Sequence, residues 1–192
     1  MRLIKKAIRF LMKKVVLDDI NIVYDEKKIE RNRLLDNSYV CIAGDIENKR
    51  KGLRHIIENN GGIVTENSTQ ICSKLVYLCD LESIENELDI ERRWFDIEQK
   101  MKDAFFYTKK FAENCDSNHM NAKLLHIVVT KQNIEAYKIM VRGFAKYFGR
   151  KHMQTNAIFV SSWDEKTLQD TLIFLLGRQS NHINGETIEI EE

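Results

Sequence analysis

The chain has 192 residues, with 30 Lys and Arg set against 29 Asp and Glu, for a net charge of +1. A hydrophobic fraction of 43% with balanced charge excludes an intrinsically disordered chain. It also leaves no global basic field, so any contact with nucleic acid would rest on local patches.

One or two domains fit this length, at about 100–200 residues each. No apolar run reaches the roughly 18 residues of a membrane span, and no secretory h-region is present. Proline is absent and glycine is sparse, at eight residues, which permits long helices. The cysteines, Cys41, Cys72, Cys79 and Cys115, form no C-x-x-C pair. Cys41 and Cys79 lie in apolar runs, which favours reduced thiols and an intracellular setting, cytoplasm or nucleus.

The opening MRLIKKAIRFLMKK alternates Arg2, Lys5, Lys6, Arg9, Lys13 and Lys14 with apolar residues at the spacing of an amphipathic helix. Three roles fit it: a helix packed on the domain, a basic arm on nucleic acid, or a helix lying on an anionic membrane surface. Residues 1–33 are set apart as this N-terminal segment. SYVCIAG (38–44) predicts a buried strand ending in glycine, and a helix over 45–60 closes at Gly61-Gly62. Ile63–Thr65 and Lys74–Cys79 predict two more strands. Residues 81–112 predict a helix with Trp94, Ile97, Met101 and Phe105 on its core side.

The polar stretch 113–122 reads as a linker. Beyond it, Leu124–Thr130 is a strand, a helix runs from Ile134 to Phe148, Ala157–Ser161 is a strand, and a helix from Asp164 closes at Gly177. The terminal 179–192 reads as an acidic, frayed tail. Apolar runs alternating with helices predict an α/β fold, a small parallel β-sheet flanked by helices. Each half repeats a strand–helix–strand–Trp order, which favours two tandem modules, 34–112 and 123–178, over one module with an insertion.

Motifs for known chemistry are missing. Neither G-x-x-x-x-G-K-[ST] nor G-x-G-x-x-G occurs, and there is no H-E-x-x-H or paired zinc spacing. No catalytic residue, metal ligand or cofactor is therefore assigned. His126, inside an apolar run, reads as a hydrogen-bonded structural histidine. Cys115 and His119 could pair as nucleophile and base, but they fall in the linker, where a preorganised site is hard to build. Asp45 and Glu47 flank a strand end but are explained by ion pairing with Lys49–Lys51.

Residues 38–80 resemble the first half of a BRCT domain, in the strand ending at Gly44, the helix 49–60, Gly61-Gly62, the short strand 63–65 and the strand 75–79. In that family a Trp in the last helix completes the module, a role Trp94 would fill, with Trp163 in IFVSSWDEKTLQD filling it for a degenerate second copy. Both tryptophans are expected to be buried. The resemblance places a phosphate-binding hydroxyl just before the first glycine, where this chain has Ala43. The segment 81–90, which would supply an assisting lysine, is acidic. Phosphopeptide binding is therefore not expected.

BRCT domains of DNA ligases and of the replication factor C large subunit are implicated in DNA binding. By that likeness Gly44, Lys49, Arg50, Lys51 and Arg54 become a candidate phosphate-binding group, joined by the basic N-terminal arm. The resulting expectation is a non-enzymatic scaffold in replication, repair or transcription, acting by contact with another protein, with DNA, or with both. Two alternatives stay open: a structural or assembly protein, viral in origin, anchored by its basic N-terminus, and a small α/β enzyme with an unfamiliar motif.

Overall fold

A computed structural model describes residues 34–35, 38–44, 47–65, 72–85, 87–118, 120–132 and 134–190. The basic arm (Arg2, Lys5, Lys6, Arg9, Lys13 and Lys14) lies outside the described residues, as do Asp45 and His119. The apolar runs become strands: β1 (Tyr39–Gly44), β2 (Ile63–Thr65), β3 (Lys74–Asp80), β4 (Ala122–Val129), β5 (Met153–Val160) and β6 (Thr187–Ile190). Among the described residues four helices flank them: α1 (Glu47–Asn59), α2 (Ile90–Ser117), α3 (Glu135–Phe148) and α4 (Glu165–Leu176). A single helical turn, Glu82–Glu85, precedes α2.

The strands form one parallel sheet in the order β2-β1-β3-β4-β5-β6. Side chains alternate between its two faces, as the pleat requires. Leu75, Tyr77, Cys79, Leu124, Val128, Ala157 and Phe159 face α2 and α3. Val40, Ile42, Val76, Leu78, Ile127, Val129, Ile158 and Val160 face α1 and α4. With both faces covered, β3, β4 and the second half of β5 read as near-continuous apolar runs, as buried parallel strands do.

Local signals end the helices. Gly61 takes φ +82° after α1, and Gly62 N–H donates to Ile57 O at 3.0 Å. Asp89 caps α2 by accepting from the Glu91 and Arg92 amides, and Asp164 caps α4 by accepting from those of Lys166 and Thr167. Among the described residues no helix is long and apolar enough to cross a membrane.

Three of the four helical crossovers share one hand. The fourth, β5–α4–β6, does not: β3, β4, β5 and β6 step in one direction, yet α2 and α3 lie on one face and α4 on the other. Such connections nearly always keep one hand, so the departure has a local consequence. It seats the start of α4 beside α1, with Glu165 close against Gly52.

Three expectations about domain organisation are corrected. The stretches 34–112 and 123–178 are not tandem modules, because β3 and β4 pair over seven residue pairs within one sheet. The stretch 113–122 is not a free linker, since α2 continues to Ser117 and β4 begins at Ala122. Within the tail 179–192, Thr187–Ile190 is an edge strand, held because Ile188 and Ile190 join the core under α4.

Trp94 is not core but 62% exposed: the inward stripe of α2 starts only at Ile97 and runs through Ala104, Thr108, Phe111 and Cys115. Trp163 is partly buried and precedes the α4 cap instead of lying within the helix.

All four cysteines are free. Burial pushes the Cys79 thiol up to about 12. His126 is fully buried between Tyr137 OH, 3.0 Å from Nδ1, and Thr108 Oγ1, 3.4 Å from Nε2. This is the structural role its apolar strand implies.

Burial lowers the His126 pKa to about 3 from an ordinary value of 6.5. The folded value lies below the unfolded one, so the unfolded chain binds the proton first as pH falls. The stability this residue contributes is thus complete above pH 6.5 and is lost as pH drops toward 3. Urea unfolding between those values should show a slope on the order of 1 kcal/mol per pH unit from this one proton. His126→Gln, which keeps hydrogen-bonding groups but cannot titrate, should lose that share of the slope. An unchanged slope would refute the assignment.

Candidate functional site

A parallel sheet whose order reverses leaves a crevice at the carboxyl ends of the strands on either side of the reversal. Here the reversal is at β1, whose neighbours are β2 on one side and β3 on the other. The carboxyl ends of β1 and β3 therefore define the candidate site. Gly44 closes β1 at φ +104°, and a Cβ there would sit 2.0 Å from Leu78 O. Only glycine allows β1 to pass this close to β3 and to turn off toward α1.

Beyond the strands the backbone keeps its sheet-like order: Leu81 N–H donates to Val129 O and Thr130 N–H to Val160 O, both at 2.9 Å. Asp80 Oδ1 accepts from Glu82 N–H at 3.0 Å, which fixes the turn after β3. Thr130 Oγ1 accepts from Gln132 N–H at 3.0 Å and fixes the turn after β4.

The start of α1 is strongly cationic. Lys49 Nζ lies 2.8 Å from Asp80 Oδ2, with side chains 16% and 22% exposed, and 5.7 Å over the Trp163 ring. Arg50 Nη2 donates to Gly44 O at 3.4 Å, while Arg50 Nε is buried without a hydrogen-bond partner. Lys51 is exposed, and Arg54 lies 3.9 Å from Glu58 on the helix surface. Glu82 and Lys131 pair at 3.4 Å on the rim.

A helix N-terminus carries partial positive charge, so cations in the first turns are unfavourable unless an anion lies close by. Asp80 supplies one such anion. Of the residues singled out in the sequence, Gly44, Lys49 and Arg50 converge here, while Lys51 and Arg54 point along the outer helix surface. Asp80 and Trp163 were missed as site residues. The signal for Asp80 was an acid ending a buried parallel strand opposite a basic helix start.

The sequence matches no protein-family model and no curated protein. Solved structures do share the fold. A short-chain dehydrogenase from Leptospira borgpetersenii with bound NAD+ has a TM-score of 0.59 at 9% identity, covering 80% of this chain and 91% of that one. The Bacillus cereus enoyl-acyl carrier protein reductase with NADP+ has a TM-score of 0.57 at 12% identity, covering 82% and 96%. A 4-hydroxyisoleucine dehydrogenase complexed with NADH has a TM-score of 0.55 at 11% identity, covering 81% and 97%.

The chain thus has the fold of short-chain dehydrogenases and reductases, and the BRCT resemblance does not hold. Its basis, three strands ordered β2-β1-β3 around one helix, is equally the start of this larger doubly wound sheet. The expectation of a non-enzymatic scaffold in DNA replication, repair or transcription, and the assembly-protein alternative, fall with it. The structures that share the fold are NAD- and NADP-binding dehydrogenases and reductases.

Lys49 and Asp80 form a pair largely withdrawn from water, so neither should be removable without strain on the other. Lys49→Met should cost about 1–3 kcal/mol, between the values for exposed and fully buried pairs. In a double-mutant cycle with Asp80→Asn the two losses should be less than additive by about 1 kcal/mol. Strict additivity would show that the two side chains do not interact.

Proposed function

We propose that this protein is an oxidoreductase that holds a nicotinamide dinucleotide across the carboxyl ends of β1 and β3. One observation carries the proposal. At the sheet's reversal point, α1 opens with Glu47 and Asn48 and then carries Lys49, Arg50 and Lys51 in succession, and the buried Arg50 Nε has no hydrogen-bond partner. Three successive cations exceed the two acids nearby in sequence and space, Glu47 and Asp80, and a pyrophosphate would complement that excess at the helix start.

The residues fit this group in part and depart from its usual cradle. The G-x-G-x-x-G fingerprint is missing, and α1 starts three positions after Gly44, at Glu47. The pyrophosphate would be held by side-chain cations, Lys49 and Arg50, and by the helix N-terminus, with no glycine-lined loop. The nicotinamide, when bound, exchanges a hydride with substrate. Asp80 orients Lys49 toward the crevice. Trp163 offers a ring face on its wall, and Glu82 and Lys131 place ionisable groups at its rim. The four free thiols accord with a reducing intracellular compartment.

NADH fluorescence, titrated against the protein at low ionic strength, tests this directly. Saturable binding is expected, weakened about tenfold by Lys49→Met, equivalent to ~1.4 kcal/mol. Thermal unfolding of the variant checks that it remains folded. Failure to bind NADH or NADPH at millimolar concentration, or equal binding by folded Lys49→Met, would overturn the proposal.

A further inference from the structure

The amino ends of the strands, at the opposite edge of the sheet from the crevice, surround a cavity of about 650 Å3. Small-molecule sites typically range from about 300 to 1,000 Å3. Five nitrogen-bearing basic side chains reach it from separate parts of the chain: Lys74 at the start of β3, Lys123 in β4, His152 just before β5, and Arg178 and His182 after α4. The Asn121 side chain also lines it, while the Gln154 and Asn184 amides bind surrounding backbone groups and fix its wall. Among the described residues, no Asp or Glu lines the cavity.

Two features set this apart from a solvated basic surface. Lys74 and Lys123 are held at fixed places. Lys74 Nζ donates to Ser38 Oγ at 2.6 Å, and Lys123 Nζ donates to Ser180 Oγ at 2.9 Å and to Gly177 O. Burial first, and the charge of Lys74 second, lower the Lys123 pKa to about 8, a mutual repulsion that a bound anion would relieve.

His152 is also the one non-glycine residue with positive φ among the described residues, at 61°. Backbone held in that region is costly, and it tends to persist where a side chain must be aimed. Here the backbone is tied by His152 N–H to Gly149 O at 3.3 Å and by Ala122 N–H to His152 O at 3.1 Å, with the side chain on the cavity wall.

We propose that this cavity binds a small, multiply charged phosphate anion, at a site separate from the carboxyl-edge crevice. Several basic groups spread around one cavity whose described lining holds no carboxylate match an anion carrying more than one negative charge, and the volume accommodates more than a single phosphate. Arg178 and His182 are exposed side chains, so they can be changed without disturbing the core. Lys123 is unsuitable for that test, because it also holds the carbonyls that end α4.

The probe is inorganic pyrophosphate, titrated calorimetrically into the full chain, with sulfate as the comparison anion. Pyrophosphate should bind at least tenfold more tightly than sulfate. The double variant Arg178→Gln, His182→Gln should weaken pyrophosphate binding tenfold or more while melting at the parent temperature. The comparison is made in the Lys49→Met background, which removes the crevice's own share of pyrophosphate binding, so that the binding kept there and lost in the double variant belongs to this cavity. No pyrophosphate binding at millimolar concentration, sulfate binding as tightly, equal binding by the double variant, or loss of binding in Lys49→Met would each overturn the proposal.

Discussion

The carboxyl edge of the sheet is organised by the distance at which β1 passes β3. At Gly44 there is no room for a side chain, because the Leu78 carbonyl occupies the place a Cβ would take. This contact keeps β1 paired with β3 to its last residue, Gly44 against Leu78, two residues before β3 ends at Asp80. The chain then turns into α1 within a few residues, and the first turn of the helix lies over the end of β3. Lys49 meets Asp80 as a result. A bulkier residue at 44 would separate the strands where the helix start, the acid and the crevice converge.

The reversed hand of the last crossover adds the second wall. With α4 on the face of α1, the loop leaving β5 passes over the start of α1 and brings Trp163 beneath the Lys49 ammonium. A connection of the usual hand would have put α4 beside α3 and left Lys49 facing Asp80 alone. The crevice is thus walled by charge from α1 and β3 and by an aromatic surface from the β5–α4 loop. Its polar groups come from chain segments more than a hundred residues apart, from Gly44 to Trp163.

Much of the fold was legible because buried parallel strands announce themselves. LVYLC, LLHIVV and AIFV are too apolar to face water on either side, and the helices between them end at glycines or begin at Asp89 and Asp164. His126 was legible for the same reason, as a polar group inside such a run.

What periodicity cannot reveal is how many strands join one sheet. The order of elements over residues 38–80 is common to a small four-stranded module and to the first part of a longer doubly wound sheet. The choice depends on β3 pairing with β4 across a helix of 28 residues. Trp94 misled because it extends the helical spacing of Ile97 and Met101, whereas the sheet packs against α2 only from Ile97 onward. Half of the site was visible in the basic run 49–51. Asp80 and Trp163 became site residues only through pairing register and crossover hand, neither of which is written in local sequence. The cavity at the opposite edge is less legible still, because residues from separate strand starts compose it one at a time.

The central claim is that a dinucleotide lies at the carboxyl ends of β1 and β3. Backbone amide chemical shifts of the 15N-labelled protein, followed as NADH is added, test it most directly. The account predicts that the amides of Gly44, Lys49, Arg50 and Leu81 shift together and saturate with one binding constant. Shifts confined to the amino edge, around Lys123 and His152, or none at all, would contradict it.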